Sequence, residues 1–324
     1  MKSQVCTSGI VPVSVIVPSY NSSRYLKACI ESLNFDSKPF EIVVVDDCST
    51  DDSALLAERL AVTHSNVRVI RRSTNGGAAE ARRDGFNAAQ CDWVAILDAD
   101  DTLEANAVSY AYQKASDEEA DICIWDMWRF DEHRSWPNIV LDPAGFPKTG
   151  RQAVLETLGE WRIHPLGVAK KKLYLEAYRN FNQTCTNADE LITRLLFVEA
   201  KKVVFCEKKY FYRVNTASAT QEVSPRRLTT LDSFIWLLEF CRSYPEVPPE
   251  SIGKDALVQA WHFWVQRRSF GSPEVVRALS RFLPRFVRVS RLHRWLWRYP
   301  KHCVGFIVLC GIVRINIFAR PSAS

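Results

Sequence analysis

Four absences narrow the reading of this 324-residue sequence. No G-x-x-x-x-G-K-[ST] run occurs, and no G-x-G-x-x-G follows the first strand-like segment, which argues against P-loop enzymes and simple dinucleotide-binding domains. The ten cysteines are scattered, with no C-x-x-C pair and no zinc-site spacing, so reduced thiols in a cytosolic setting are expected. No apolar signal region precedes the first strand. The late apolar run at 303–313 has 11 residues, short of the roughly 20 that span a bilayer.

Charge of one sign is nearly missing from the end of the chain. From Arg267 onward, 12 Lys and Arg residues face one acid, Glu274, leaving 30 basic and 36 acidic residues upstream. A mildly acidic body with a basic tail suggests an anionic partner. The 47% hydrophobic content suffices for one sizeable α/β domain plus an extension.

The apolar run at 93–97 reads as a buried parallel strand, and 13–17, 42–45 and 67–70 read as the three strands before it. Helical stretches separate them: one from Ser22 or Ser23 to about Leu33, one capped within Ser49, Thr50 and Asp51, and an alanine-rich one over 78–89. The first strand is expected to stop at Pro18. This alternation implies a parallel sheet with right-handed crossovers and a ligand at its carboxyl ends. Pro18 and Tyr20, Asp46 and Asp47, Arg71, and Asp98 and Asp100 should then share one rim.

Asp98-Ala99-Asp100-Asp101 leaves the fourth strand. Carboxylates so crowded repel unless a positive charge lies among them, and a divalent cation held by oxygen ligands is the usual answer. Such a cation could bridge two phosphate oxygens. Asp46 or Asp47 could accept from a base or ribose, and Arg71 or Arg82 could counter phosphate charge. These features suggest a nucleoside diphosphate ligand.

Val17-Pro18-Ser19-Tyr20-Asn21, Val45-Asp46-Asp47-Cys48-Ser49-Thr50-Asp51, Asn75-Gly76-Gly77 with Ala81-Arg82, and Asp98-Ala99-Asp100-Asp101 together resemble the family 2 glycosyltransferases of GT-A fold. The likeness is strong over about 10–130 and weaker to about 220. It implies inverting transfer of a sugar from a nucleotide-diphosphate donor, a UDP-sugar above all, with Mg2+ or Mn2+. On this resemblance the donor nucleotide is bound by Pro18, Tyr20, Asn21, Asp46, Asp47, Arg71, Gly77, Arg82, Asp98, Ala99 and Asp100, with Asp98 and Asp100 on the metal.

Further along, 105–116 reads as a helix, 121–128 as a strand, and 129–150, with Pro137, Pro143 and Pro147, as a loop on the acceptor side. Asn187 opens a helix bearing Asp189 and Glu190. Acids at a helix N-terminus commonly serve the dipole alone. The resemblance instead implies a general base here. Relatives carry a Glu-Asp pair whose Asp deprotonates the acceptor; this chain has Ala188 in the first place, Asp189 in the second, and Glu190 as fallback. Two short strands follow, 203–205 and 210–213, the second ending in Tyr212-Arg213. With Ser218 this pair resembles a family element near the donor phosphates, and a surface arginine is the alternative. His164 is a candidate for the acceptor or a structural histidine.

In the tail, Arg285, Arg288, Arg291, Arg294 and Arg298 alternate with Phe286, Val289, Leu292, Leu296 and Tyr299, beside Trp295 and Trp297. This predicts a basic amphipathic helix on an anionic membrane, with Phe286, Leu292, Trp295 and Trp297 buried in it. A packed helical subdomain is the alternative; nucleic acid gains no support elsewhere in the chain.

The expected architecture is α/β: a GT-A nucleotide-diphospho-sugar transferase fold, mostly parallel sheet with flanking helices, over 1–222, and a helical basic extension over 223–324. The expected function is glycosyl transfer to a glycan or lipid-linked acceptor in bacterial envelope polysaccharide synthesis, at the inner face of the cell membrane. The alternative is a catalytically weak nucleotide-sugar-binding scaffold. A dinucleotide-dependent oxidoreductase leaves the 98–101 carboxylates unexplained.

Overall fold

A computed structural model describes residues 11–33, 40–158, 161–181, 188–214, 225–246, 249–290 and 309. In chain order the first elements are β1 (Val13–Ser19), α1 (Leu26–Leu33), β2 (Glu41–Asp46), α2 (Ser53–Thr63), β3 (Val67–Arg71), α3 (Ala78–Ala88), β4 (Trp93–Ile96) and β5 (Thr102–Leu103). Next come α4 (Ala107–Asp117), β6 (Ile122–Phe130), β7 (Ser135–Ile139), α5 (Gly150–Thr157), β8 (Gly167–Lys170), α6 (Lys171–Asn180), α7 (Ala188–Glu199) and β9 (Val203–Arg213). The last are α8 (Thr230–Phe240), α9 (Pro249–Val265), α10 (Arg267–Phe270) and α11 (Ser272–Ser290). The chain divides into two compact units: residues 1–182 with 192–215, and residues 183–191 with 216–324.

In the first unit the strands form one sheet in the order β3-β2-β1-β4-β8-β6-β9-β5, with β7 beside β6. Every residue of β1 is buried, as expected of a central strand covered on both faces. β3, β2, β1 and β4 run parallel to one another. Beyond β4 the expectation of a mostly parallel sheet fails. β8 runs antiparallel to both β4 and β6, β5 antiparallel to β9, and only β6 and β9 are parallel. The sheet is mixed, because β8 enters between β4 and β6 from far along the chain.

Pro18 does not end β1: it pairs with Val45, and the strand runs on to Ser19. A proline inside a central strand normally removes a ladder bond. Here the Ile16 carbonyl accepts from the Leu97 amide at 3.0 Å, so Pro18, two residues later, faces the same side. β4 has already ended at Ile96, so no carbonyl of that strand is left without the donor that Pro18 lacks.

The expected loop at 129–150 is partly ordered as the β6–β7 hairpin and the helix α5. Pro137 is tolerated because β7 pairs with β6 alone. The two short strands expected after 203 are one continuous strand, β9. Its polar stretch coincides with a register irregularity between Ile124 and Asp126, which absorbs the break in apolar pattern. Helix α3 lies against β1 so closely that a Cβ on Gly85 would sit 2.3 Å from Ile16 Cγ2.

In the second unit α8, α9 and α11 pack on one another around Leu231, Ile235, Leu257, Phe263, Leu279, Phe282 and Phe286. α11 is amphipathic, and its last residues, 285–290, are the start of the expected amphipathic segment, the rest of which lies outside the described residues. Its outer face carries Arg277, Arg281, Arg285 and Arg288. Phe286 is 0% exposed in this core and stacks near Phe282, so its expected insertion into a bilayer is corrected: the core claims it first. Arg285 reaches Asp232 at 2.9 Å. Arg291, Leu292, Arg294, Trp295, Trp297, Arg298 and the 303–313 run (Leu309 apart) lie outside the described residues. Among the described residues no helix is long and apolar enough to cross a membrane.

Candidate active site

Register brings the carboxyl ends of β1, β2 and β3 level: Ser19 pairs with Asp46, and Asp46 with Arg71. The loops that follow are stitched together. Asn21 Oδ1 accepts from the Thr50 amide at 2.8 Å, and its own amide donates to Ser49 Oγ at 3.0 Å. The Ser22 amide donates to Ser53 Oγ at 2.7 Å. Asn21 and Cys48 take left-handed φ values of 49° and 61°, which turn the chain sharply at the rim. Burial opposes ionisation of Asp51, but hydrogen bonds from Ser53 and Ser23 prevail and hold its carboxyl below the usual range. Asn21 thus builds the rim with its side chain, while Tyr20 stands exposed on it.

The adjacent carboxylates Asp46 and Asp47 part company. Asp47 is buried and accepts from the Gly76 amide at 2.9 Å, the Gly77 amide at 2.6 Å and the Arg72 guanidinium. It is committed to holding the 75–77 turn, where Gly77 takes φ 86° and opens α3. Asp46 is equally buried, and its Oδ2 accepts from the Ser49 amide at 3.1 Å. Its Oδ1 is buried with no hydrogen-bond partner. A buried polar atom left unpaired costs about 1–3 kcal/mol, so this oxygen is placed to accept from a bound group.

Arg71 points elsewhere than expected. It lies 3.1 Å from Glu58 on the surface, whereas Arg72 bonds to Asp47 and, at 2.7 Å, to Asp84. Successive strand residues face opposite sides, so one position decides between rim and surface. Arg72 is a site-forming residue that motif reading missed.

Beyond β4 the acidic motif turns. Arg82 Nη2 donates to Asp98 Oδ1 at 2.7 Å, with side chains 13% and 31% exposed. Arg82 therefore supplies a positive charge inside the cluster, and crowding there is not answered by a cation alone. Burial, then the Asp98 charge, raise the Asp100 carboxyl above its usual range, with Arg213 opposing. Ala99 is buried. Asp101 is wholly buried, and burial with the Asp98 and Asp100 charges pushes its carboxyl up to about 8, against hydrogen bonds from Tyr210 and the Arg213 amide. Among the described residues no three His, Cys, Asp or Glu side chains form a ready-made metal group.

Arg213 ends β9 beside this turn. Its Nε donates to the Asp100 carbonyl at 2.8 Å, and its guanidinium lies 4.8 and 4.3 Å from the ring centres of Tyr25 and Phe130. His164 is 4% exposed; its Nδ1 accepts from the Leu166 amide at 3.2 Å, and burial pushes its pKa down to about 4. It is a neutral core histidine. Asp189 and Glu190 occupy the first turn of α7, exposed and half-buried, behind the buried Ala188. Ser218 lies outside the described residues.

A sheet whose parallel half gathers Asp46, Asp98 and Asp100 at its strand ends, continued by mixed strands, is an α/β architecture of the GT-A kind. The same architecture occurs in crystals of *S. aureus* TarS 1–349 with UDP-GlcNAc, at TM-score 0.62 and 19% identity over 93% of this chain and 90% of that one. The model of glycosyl transferase family 2 matches residues 14–160, just under half of the chain. Among curated relatives, glycosyltransferase GlyG of *Streptococcus pneumoniae* is 29% identical over 220 residues, 64% of this chain and 72% of GlyG. The poly(ribitol-phosphate) beta-N-acetylglucosaminyltransferase TarS of *Staphylococcus aureus* is 27% identical over 61% of this chain. That match spans 35% of TarS, so the chain corresponds to only part of the longer relative.

Proposed function

We propose that the chain transfers a sugar, with inversion at the anomeric carbon, from a nucleoside-diphosphate sugar to a hydroxyl of a glycan or lipid-linked acceptor of the bacterial envelope. A UDP-sugar is the donor favoured by the UDP-GlcNAc complex of the structural relative. Envelope polysaccharide is favoured by the poly(ribitol-phosphate) transferase and the teichuronic acid protein TuaG of *Bacillus subtilis* among the relatives. The observation that carries the reading is the buried, unpartnered Asp46 Oδ1 on the same rim as the Asp98 and Asp100 carboxylates. The first suits a base or ribose donor; the others suit a diphosphate bound through a cation.

Mg2+ or Mn2+ fits the donor set. Such cations commonly take one or two carboxylates and complete their shell with substrate phosphates and water. Asp98 and Asp100 are two partly exposed carboxylates, and the Asp98 charge adds to burial in raising the Asp100 carboxyl. When bound, the cation neutralises charge developing on the departing diphosphate. Arg82 holds Asp98 in place, and Arg213, which ends β9 beside that turn, is assigned to the diphosphate, with Ser218 as the resemblance implies. Asp189 takes the acceptor proton, with Glu190 as its substitute. Residues 1–222 carry the chemistry. The arginine face of α11 and the basic tail hold the protein reversibly at the anionic inner face of the cell membrane.

The test is calorimetric titration with a panel of nucleotide-sugars, with and without Mn2+. One UDP-sugar should bind in a metal-dependent way and be turned over with an acceptor. Binding of none would end this reading. Ala188, standing where an acid would form a pair with Asp189, favours a second reading: a nucleotide-sugar-binding scaffold. Binding without turnover over any acceptor would select it.

A further inference from the structure

Two residues of β9 grip the turn that carries the acidic motif. The Tyr210 hydroxyl donates to Asp101 Oδ2 at 2.6 Å and accepts from the Asp98 amide at 3.3 Å. The Arg213 amide donates to Asp101 Oδ1 at 2.7 Å. Asp101 is 0% exposed, so its carboxyl group is consumed internally and cannot reach a ligand. Asp98 and Asp100 on either side of Ala99 remain partly exposed. Tyr210 is itself locked. It is 0% exposed, and its ring stacks on Trp125 with centres 6.1 Å apart. The Trp125 indole in turn donates to the Ala107 carbonyl at 3.0 Å.

The strand thus touches the motif at the backbone of one exposed aspartate and at the side chain of the buried one. We propose that Tyr210 is a positioning residue: through Asp101 and the Asp98 amide it fixes the direction in which Asp98 and Asp100 present their carboxylates to a divalent cation. This rests on the reading that those two carboxylates hold the cation. Groups that orient metal ligands typically change metal affinity by about 10- to 100-fold when removed. Arg213 contributes to the same grip, but its own side chain is assigned to the diphosphate, so Tyr210 is the cleaner probe.

Tyr210→Phe keeps the ring and its stacking and removes only the hydroxyl. Mn2+ affinity is read from the electron paramagnetic resonance signal of free Mn2+, titrated into full-length protein with UDP. The variant should bind Mn2+ about tenfold more weakly, while metal-free UDP binding stays at the wild-type level. Asp101→Asn cannot accept from both Tyr210 and the Arg213 amide, and should show the same loss; it carries the test if Tyr210→Phe does not fold. Leu173→Ala, a core truncation in α6 of the same unit, is the control for general loosening and should leave Mn2+ affinity unchanged. Equal Mn2+ affinity in wild type and Tyr210→Phe overturns the positioning role while the cation site stands. Equal weakening by Leu173→Ala overturns it too, as softening of the fold. Wild-type protein that binds no Mn2+ with UDP overturns both the cation site and the positioning role.

Discussion

His164 gives the most quantitative prediction. Burial lowers its pKa from 6.5 to about 4, against a weaker opposing contact with the Trp125 backbone. A base whose folded pKa lies below its unfolded value binds its proton more tightly when unfolded. Its contribution is therefore fully present above pH 6.5 and is lost as pH falls toward 4. A shift of roughly 2.5 units at about 1.36 kcal/mol per unit comes to about 3 kcal/mol, of which roughly 2 should be gone by pH 4.5. His164→Gln keeps an acceptor for the Leu166 amide and cannot titrate. Urea unfolding of wild type and variant at pH 7.5 and pH 4.5 isolates the effect, because other titrating groups are common to both. The stability gap between the two pH values should be about 2 kcal/mol smaller in the variant, with turnover at pH 7.5 unaltered. An unchanged gap would show that the ring is not buried and neutral. Lost turnover at full stability would return His164 to the acceptor site.

Two further predictions concern the base and the tail. Asp189→Asn should lower turnover far more than donor affinity, since a base acts on the acceptor in the transition state; steady-state kinetics with Glu190→Gln alongside decides between the two acids, and activity in both variants removes this helix from the mechanism. Phe286→Ala should cost about 3–5 kcal/mol of stability by emptying a core site, measured by denaturation. By contrast, Arg277→Glu with Arg281→Glu should leave stability nearly unchanged and weaken co-sedimentation with anionic vesicles, an effect that added salt should mimic in wild type.

The parallel half of the fold was legible because β2 and β4 carry unbroken apolar runs and β1 one interrupted only by Ser14, the pattern of strands covered on both faces. β8 was not: four residues, Gly167–Lys170, carry too little pattern, and their place between β4 and β6 is set by pairing across distant sequence. β9 read as two pieces because Glu207, Lys208 and Lys209 interrupt it, and a register irregularity in its pairing with β6 hides that break. At the site, the acidic motif and the Asp46-Asp47 pair were visible as residue types. Which aspartate stays available was not, because it depends on the Gly76 and Gly77 amides and Arg72 meeting Asp47. The step from Arg71 to Arg72 turns on strand parity at a boundary, where sequence reading is weakest. Tyr210 had no local signal: its partners, Asp98 and Asp101, lie more than a hundred residues upstream.

The central claim is that Asp98 and Asp100 bind the donor diphosphate through a cation, and Asp100→Ala tests it most directly. Burial and the Asp98 charge raise the Asp100 carboxyl, so its removal relieves repulsion, and the melting temperature should stay level or rise slightly. Transfer from the UDP-sugar should nevertheless fall by at least about a hundredfold, the scale on which a preorganised electrostatic contact to developing charge contributes. Mn2+-dependent donor binding should vanish with it, and wild type in excess EDTA should behave in the same way. Near-normal transfer by folded Asp100→Ala protein, or by wild type in EDTA, would contradict the account.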